Sequence, residues 1–312
     1  MTKPLVIYHK NCNDGFGAAT AAYLALGDDA EYLPVQYNDP LHKGGILQYV
    51  PYREVYILDF SFPRDVMESI ISLATRVTWL DHHKTAFEVW CNRAPDMLFT
   101  KFKSPIVDAD DPEIILDDLK SGALLAYEYF SRLYNVDTMP TFALVLDDYD
   151  RWQFRMPITK FVNAALRSQP LILSEWAKYY TNPEFIPQLA TEGEAIERYR
   201  MQQVESIAAK ATKHTFPGVE SLGLKPVHGL AVNCNAAFTS DVGHVLAKRC
   251  GTYALCWSLQ NNGQVASVSL RSEGNYDVSE LAKRYGGGGH KNAAGFELSM
   301  PELLTMFGGR AE

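Results

Sequence analysis

The sequence predicts an α/β chain: a parallel-sheet N-terminal domain and a smaller α/β domain, joined by a helical connector. Three observations carry this. Apolar runs alternate with helix-like stretches of about ten residues through the first third of the chain, the pattern of a parallel sheet with covered faces. Three of those runs (residues 5–8, 55–58 and 77–80) each end in side chains able to ligate metal. A second strand-and-helix pattern opens at Thr215, after a long amphipathic stretch. The expected boundaries are 1–188 for the first domain, 189–213 for the connector and 214–312 for the second domain.

Composition narrows the class. With 312 residues, 47% of them apolar and 21% charged, the chain has room for two globular domains rather than a disordered segment. No apolar run approaches the ~20 residues of a membrane span. The N-terminus runs straight into a strand, with no room for a signal peptide, so a cytoplasmic location is expected. The five cysteines (Cys12, Cys91, Cys234, Cys250 and Cys256) are scattered, with no CxxC pair, which argues against a disulfide framework or a zinc knuckle. The net charge of −8 argues against long duplex nucleic acid, whose backbone needs a basic face. A small anion gripped by a local cation cluster stays compatible with it. A two-fold dimer is the default for a soluble chain, and no residue here decides it.

The elements follow in order. Residues 5–8 read as a buried strand, 9–15 as a turn and 16–26, rich in Ala and Leu, as a helix. Asp14 stands at the helix start, where it serves as either a metal ligand or a helix cap. A second strand covers 31–36 and a third 55–59. A helix opens at 62–65 and runs through Leu73, and a fourth strand covers 76–80 before Asp81-His82-His83. Asp14, Asp59 and His82 are thereby expected at the carboxyl edge of one sheet, where open α/β folds place their sites. Carboxylate and imidazole together suit Mn²⁺, Fe²⁺ or Zn²⁺.

Residues 95–118 read as an irregular acidic loop. Its run at 108–111 lacks the ligand spacing of an EF-hand. A helix starts at 121–123 and runs through Leu133. Residues 142–146 form an apolar segment, helix or strand, that leads into Asp147, Asp148 and Asp150. Residues 172–213 read as helical, and 192–210 as one long amphipathic helix: the connector, or one more packing helix of the first domain.

In the second half, 229–233 is a strand and 240–249 a helix. Strands 253–259 and 265–270 are joined by Asn262-Gly263, a hairpin signal. A short helix covers 278–285. Gly286-Gly287-Gly288-Gly289-His290-Lys291 follows, read as neither helix nor strand but as a loop whose bare backbone lets an anion approach. It lacks the GK[ST] ending of a Walker loop and a strand directly before it. Arg271, ending a strand, could face the same anion. A final strand covers 294–298 and a last helix 301–307.

Asp81-His82-His83 after an apolar strand, with Gly286–Gly289, His290 and Ala293-Ala294-Gly295-Phe296 some two hundred residues later, resembles the DHH phosphoesterase superfamily with its DHHA1 domain. The resemblance covers nearly the whole chain. It implies a two-metal site between the domains, usually Mn²⁺, with Mg²⁺ or Co²⁺ as alternatives. The family's first motif, His-x-Asp-x-Asp-Gly, reads here His9-Lys10-Asn11-Cys12-Asn13-Asp14-Gly15, with one residue added and asparagine where an acid is usual. By the match, His9, Asn11, Asp14, Asp59, His82 and Asp148 are metal ligands. Asp59 bridges, and His83 is a ligand or a substrate contact, so Asp59 and His83 carry catalysis. Asp147 and Asp150 stay open beside Asp148. Arg271, Gly287, Gly288, Gly289, His290 and Lys291 would grip the substrate phosphate. The variant first motif resembles an oligoribonuclease-like, or nanoRNase, branch. Hydrolysis of short RNA or linear dinucleotides such as pGpG, 3′ to 5′, is expected. An adenosine-bisphosphate phosphatase, a cyclic-dinucleotide phosphodiesterase and a non-catalytic nucleotide sensor are the alternatives.

Overall fold

The computed structural model describes residues 2–37, 39–83, 86–87, 90, 101–103, 111–133, 138–217 and 227–308, without the side chains of 101–103, 133 and 290. The acidic run at 108–110 and Cys91 lie outside the described residues. The chain divides into two compact units, Met1–Glu197 and Arg198–Glu312.

In the first unit, strands β1 (Leu5–His9), β2 (Glu31–Val35), β3 (Glu54–Leu58), β4 (Arg76–Asp81), β5 (Lys101–Lys103) and β6 (Glu113–Asp117) form one sheet in the order β2-β1-β3-β4-β6-β5. All pairings are parallel except β5 with β6. Successive side chains of a strand point to opposite faces. Val6 and Tyr8 accordingly join one apolar layer, with Phe16, Leu125, Phe142 and Trp176. Leu5 and Ile7 join the other, with Ile57, Met67 and Trp79. Both faces are covered, which is why these strands are continuously apolar.

The first unit's helices are α1 (Asn13–Leu26), α2 (Arg64–Leu73), α3 (Gly122–Leu133), α4 (Thr141–Asp150), α5 (Thr159–Leu166) and α6 (Leu173–Thr181). The undecided segment at 142–146 is thus helical. Helix α7 (Phe185–Ala208) begins earlier than its charge pattern suggests. Ile186 and Leu189 pack in the first unit's core, and Val204 and Ala208 in a core of the second.

The second unit has strands β7 (Thr212–Thr215), β8 (His228–Asn233), β9 (Tyr253–Gln260), β10 (Val265–Ser272), β11 (Gly288–His290) and β12 (Ala293–Ser299), ordered β11-β12-β10-β9-β8-β7. Its helices are α8 (Thr239–Cys250), α9 (Ser279–Arg284) and α10 (Met300–Met306). The β9–β10 hairpin turns on Asn261, Asn262 and Gly263, all at positive φ. Strand β7 occupies the end of the stretch expected to be helical, and its four residues pair antiparallel with β8. The glycine run departs from expectation as well. Gly288–His290 is a short strand paired with β12. A Cβ on Gly287 would lie 2.1 Å from the Gly295 carbonyl oxygen, and one on Gly289 2.6 Å from that of Ala293. The glycines therefore serve close strand approach as well as a turn. Among the described residues no helix is long and apolar enough to cross a membrane.

His214, on β7, is buried against Phe216, Tyr253 and Phe307. Burial lowers its pKa below the ordinary 6.5. As pH falls, the unfolded chain takes up the proton first. The stability that His214 contributes is present above about pH 6.5 and is lost as pH falls through the lower folded value. Thermal melts at about pH 7 and about pH 5 should show a fall in melting temperature that is smaller in His214→Gln than in the wild type.

Candidate metal centre

The strand order reverses direction at β1 and β3, the switch point where the carboxyl ends of a parallel sheet open a crevice. His9 ends β1, Asp59 follows β3 directly, and Asp81 ends β4 just before His82 and His83. Asp59 sits at φ 53, a left-handed conformation uncommon for a residue with a side chain. Its amide donates to the Leu80 carbonyl at 2.9 Å, which ties the turn to the neighbouring strand. Gly122 lies against it: a Cβ there would be 2.3 Å from the Asp59 Cβ.

The side chains converge on Asp59. His82 Nε2 is 3.0 Å from Asp59 Oδ1, 3.5 Å from Asp150 Oδ2 and 3.7 Å from Asp14 Oδ2. His9 Nδ1 is 3.6 Å from Asp59 Oδ2, and its Nε2 bonds to Gln36 Oε1 at 2.9 Å. Asp81 Oδ1 accepts from the His82 and His83 amides and stands 2.7 Å from His83 Nδ1, fixing that ring. Asp14 does not cap its own helix. Its carboxylate accepts from the Gly122 and Ala123 amides at the start of α3, at 2.6 and 3.0 Å.

The electrostatics follow from burial and crowding. Burial, then the charges of Asp59 and Asp150, push Asp14 well above the usual carboxylate range. Asp150 is raised by burial and by Asp59, against the opposing charge of His82. Burial would also raise Asp59, but the His82 hydrogen bond and the neighbouring His9 and His83 outweigh it and hold Asp59 low. Burial would lower His82, but Asp150, Asp59 and Asp14 outweigh it and raise it.

This arrangement fits divalent cations. Three groups have ligand atoms mutually within 4.8 Å: Asp59, Asp81, His82 and His83; His9, Cys12 and Asp59; and Asp14, His82 and Asp150. Three buried atoms in them (His9 Nδ1, Asp59 Oδ2 and Asp81 Oδ2) have no hydrogen-bond partner. Buried polar atoms are normally satisfied, and a cation satisfies an imidazole and two carboxylate oxygens at once.

In the second unit, Arg271 on β10 donates to Ser240 Oγ at 3.1 Å and to the Leu270 carbonyl at 2.8 Å. The register sets Arg271 opposite Ala293 on β12, and Ala293 opposite His290 on β11. Arg271, Ala293 and His290 thus share one row across three strands, although the His290 side chain is outside the described set. Lys291 is exposed, its Nζ 3.3 Å from Asn275 Oδ1.

Residues 235–308 match the DHHA1 domain family. The chain is 26% identical over 334 residues to oligoribonuclease NrnB of Bacillus subtilis, covering 96% of this chain and 74% of NrnB. The chain thus carries a DHHA1-type segment and is similar over nearly its whole length to an oligoribonuclease. Among solved structures, the pGpG-specific phosphodiesterase PggH of Vibrio cholerae aligns over 98% of this chain and 96% of its own, with a TM-score of 0.49 and 13% identity. RecJ of Thermus thermophilus with Mn²⁺ gives the same score and identity, and this chain spans half its length.

At the DHH motif positions, the structure brings together His9, Asp14, Asp59, His82 and His83. It does not bring in Asn11, which is exposed at φ 59. Asn13 instead bonds Asn163 at 3.2 Å. Cys12, one of the five scattered cysteines, is what joins His9 and Asp59.

Asp148 is placed elsewhere too. Its carboxylate accepts from the amides of Arg155 and Met156 and from the Thr159 hydroxyl, pinning a turn in which Trp152 and Phe154 are left-handed. Asp150 takes the cluster position. Two residues along a helix turn a side chain by roughly 200°, so only one of the pair can face the site. Asp147 accepts from the Ser121 amide at 2.7 Å. Once α4 is known to be a helix, its periodicity separates these acids.

Asp148→Asn should destabilise the fold by about 1–3 kcal/mol, read in thermal melts with chelator present, while Mn²⁺ affinity changes little. Asp150→Asn should do the reverse, weakening Mn²⁺ binding by calorimetry without lowering the melting temperature. Gly122→Ala should displace Asp59 and reduce Mn²⁺ affinity by at least about 10–100-fold, the range lost with an outer-shell partner.

Proposed function

We propose that this chain is a metal-dependent phosphodiesterase, with two Mn²⁺ ions as resident cofactors. It would hydrolyse short oligoribonucleotides and linear dinucleotides such as pGpG to mononucleotides, from the 3′ end, in the cytoplasm. The observation that carries this is the convergence of three ligand groups at one switch point, two of them sharing Asp59 and two sharing His82. The similarity to an oligoribonuclease supports the substrate class. The net charge of −8 suits a short anion better than a long duplex.

Divalent cations held here would polarise phosphoryl oxygens and offset their charge during in-line displacement. Asp59 would be the shared ligand, held ionised by the imidazoles around it. His9 would complete one position, and Asp14, His82 and Asp150 the other. Asp81 orients the His83 ring, and His83 would contact the phosphate. The buried Phe60 ring, 5.8 Å from that of His9, shields one side of these groups from water. In the second unit, Arg271, Lys291, His290 and the backbone of Gly287, Gly288 and Gly289 would hold a substrate phosphate.

The test is product analysis with Mn²⁺ on 5′-labelled RNAs of graded length, beside adenosine bisphosphate and cyclic dinucleotides. Fast conversion of dinucleotides with slow decay of long chains is expected. Rates that rise with length would exclude a short-substrate enzyme. Product from only the bisphosphate or the cyclic compounds would redirect the assignment to those substrates, and binding without product would make the chain a sensor. Asp59→Asn should remove turnover by more than the ~10–100-fold that an outer-shell partner costs. It should also abolish the Mn²⁺-induced rise in melting temperature expected of the wild type.

A further inference from the structure

The first motif contains a thiol where its neighbours are amides. Strand β1 ends at His9. Asn11 adopts φ 59, Cys12 returns to an extended φ of −123, and α1 starts at Asn13. This turn sends Asn11 to the exposed surface and leaves Cys12 partly buried. The Cys12 Sγ, a ring nitrogen of His9 and a carboxylate oxygen of Asp59 all lie within 4.8 Å of one another.

A second observation points to a ligand at the same place. Asp59 is 1% exposed, and its Oδ2 has no hydrogen-bond partner; neither has the buried His9 Nδ1, 3.6 Å away. An unpartnered imidazole nitrogen and an unpartnered carboxylate oxygen face each other beside the sulfur. A proton shared between them could satisfy only that pair. A cation would engage the imidazole, the carboxylate and the sulfur together.

We propose that Cys12 is a metal ligand, its thiolate completing a His9–Cys12–Asp59 set for one of the two cations. The inference rests on the metal-centre reading above. As the sulfur–metal bond forms, the thiol proton leaves to solvent. A nitrogen, a sulfur and an oxygen ligand make a three-point set with room for a further ligand, the pattern of open catalytic sites. Thiolate is soft, so it raises this position's affinity for Co²⁺, Zn²⁺ or Fe²⁺ more than for Mn²⁺ or Mg²⁺, without excluding Mn²⁺ where that ion is abundant. The position of Asp14, His82 and Asp150, without sulfur, is harder. The two cation positions of this chain therefore differ in metal preference, and Asn11 has no part in either.

Cobalt(II) titration of the chelator-stripped, reduced full chain tests this by absorption spectroscopy. Visible ligand-field bands report cobalt in the centre, and a near-ultraviolet sulfur-to-cobalt charge-transfer band reports a bound thiolate. The wild type is expected to show both. Cys12→Ser and Cys12→Asp should keep ligand-field bands and lose the charge-transfer band. Cys12→Ser should also weaken cobalt binding by at least about 10–100-fold at one of two sites. Cys12→Asp should narrow the preference for Co²⁺ over Mn²⁺. Ligand-field bands without a charge-transfer band in the wild type would overturn the thiolate ligand and leave the metal centre standing. A charge-transfer band that persists in both variants would assign it to another cysteine and overturn the proposal. Absence of both bands in the wild type would overturn the metal centre itself.

Discussion

The first unit depends on one electrostatic constraint: a carboxylate, Asp59, buried at the end of a central strand among other acids and three imidazoles. Taking a charge out of water is costly unless it is paired and hydrogen-bonded. Here one oxygen is paired with His82 and the other is unsatisfied. Asp14 and Asp150, displaced toward protonation by burial and by Asp59, show the same tension from the other side. Like charges held this close need a common counter-charge, which a divalent cation would provide.

Much of the surrounding structure keeps that carboxylate in place. The left-handed turn at Asp59, its amide bond to β4 and the bare face of Gly122 all act on one residue. The start of α3 is held by carboxylates from two other helices, Asp14 of α1 and Asp147 of α4. Helix ends need acceptors for their first amides, and here the acceptors come from the acidic motifs themselves. The fold and the site thus share parts: Asp14 both anchors α3 and stands within reach of His82.

Strands β1, β3 and β4 were readable because strands buried on both faces are continuously apolar, and each of these ends abruptly in polar ligands; β5 and β6 were not, since they lie in an acidic stretch that reads as a loop. Asp59, His82 and His83 were legible for the same reason. The glycine run was legible as special but not as a strand, since three residues of β11 carry no alternation and their pairing partner lies beyond a turn. Asp150 was hidden by an apolar segment too short to declare its period. Cys12 was hidden because a thiol in a scattered set of five reads as a small buried residue, and only its neighbours across the sheet distinguish it.

By itself the sequence determined the strands β1 to β4 with their helices, the two-part organisation and the clustering of acids and imidazoles at strand ends. These rest on local patterning and on short motifs, which are fixed by neighbours in the chain. It read β5, β6 and β11 as loops, although β6 is a partly buried strand paired parallel with β4. The tertiary structure alone decided which member of each polar cluster faces the site: Cys12 over Asn11, and Asp150 over Asp148. That choice depends on a left-handed residue at Asn11, on the rotation of α4 and on hydrogen bonds that claim the rejected acid for a turn. Adjacent residues of nearly equal chemistry point in different directions, and direction is a property of the folded backbone.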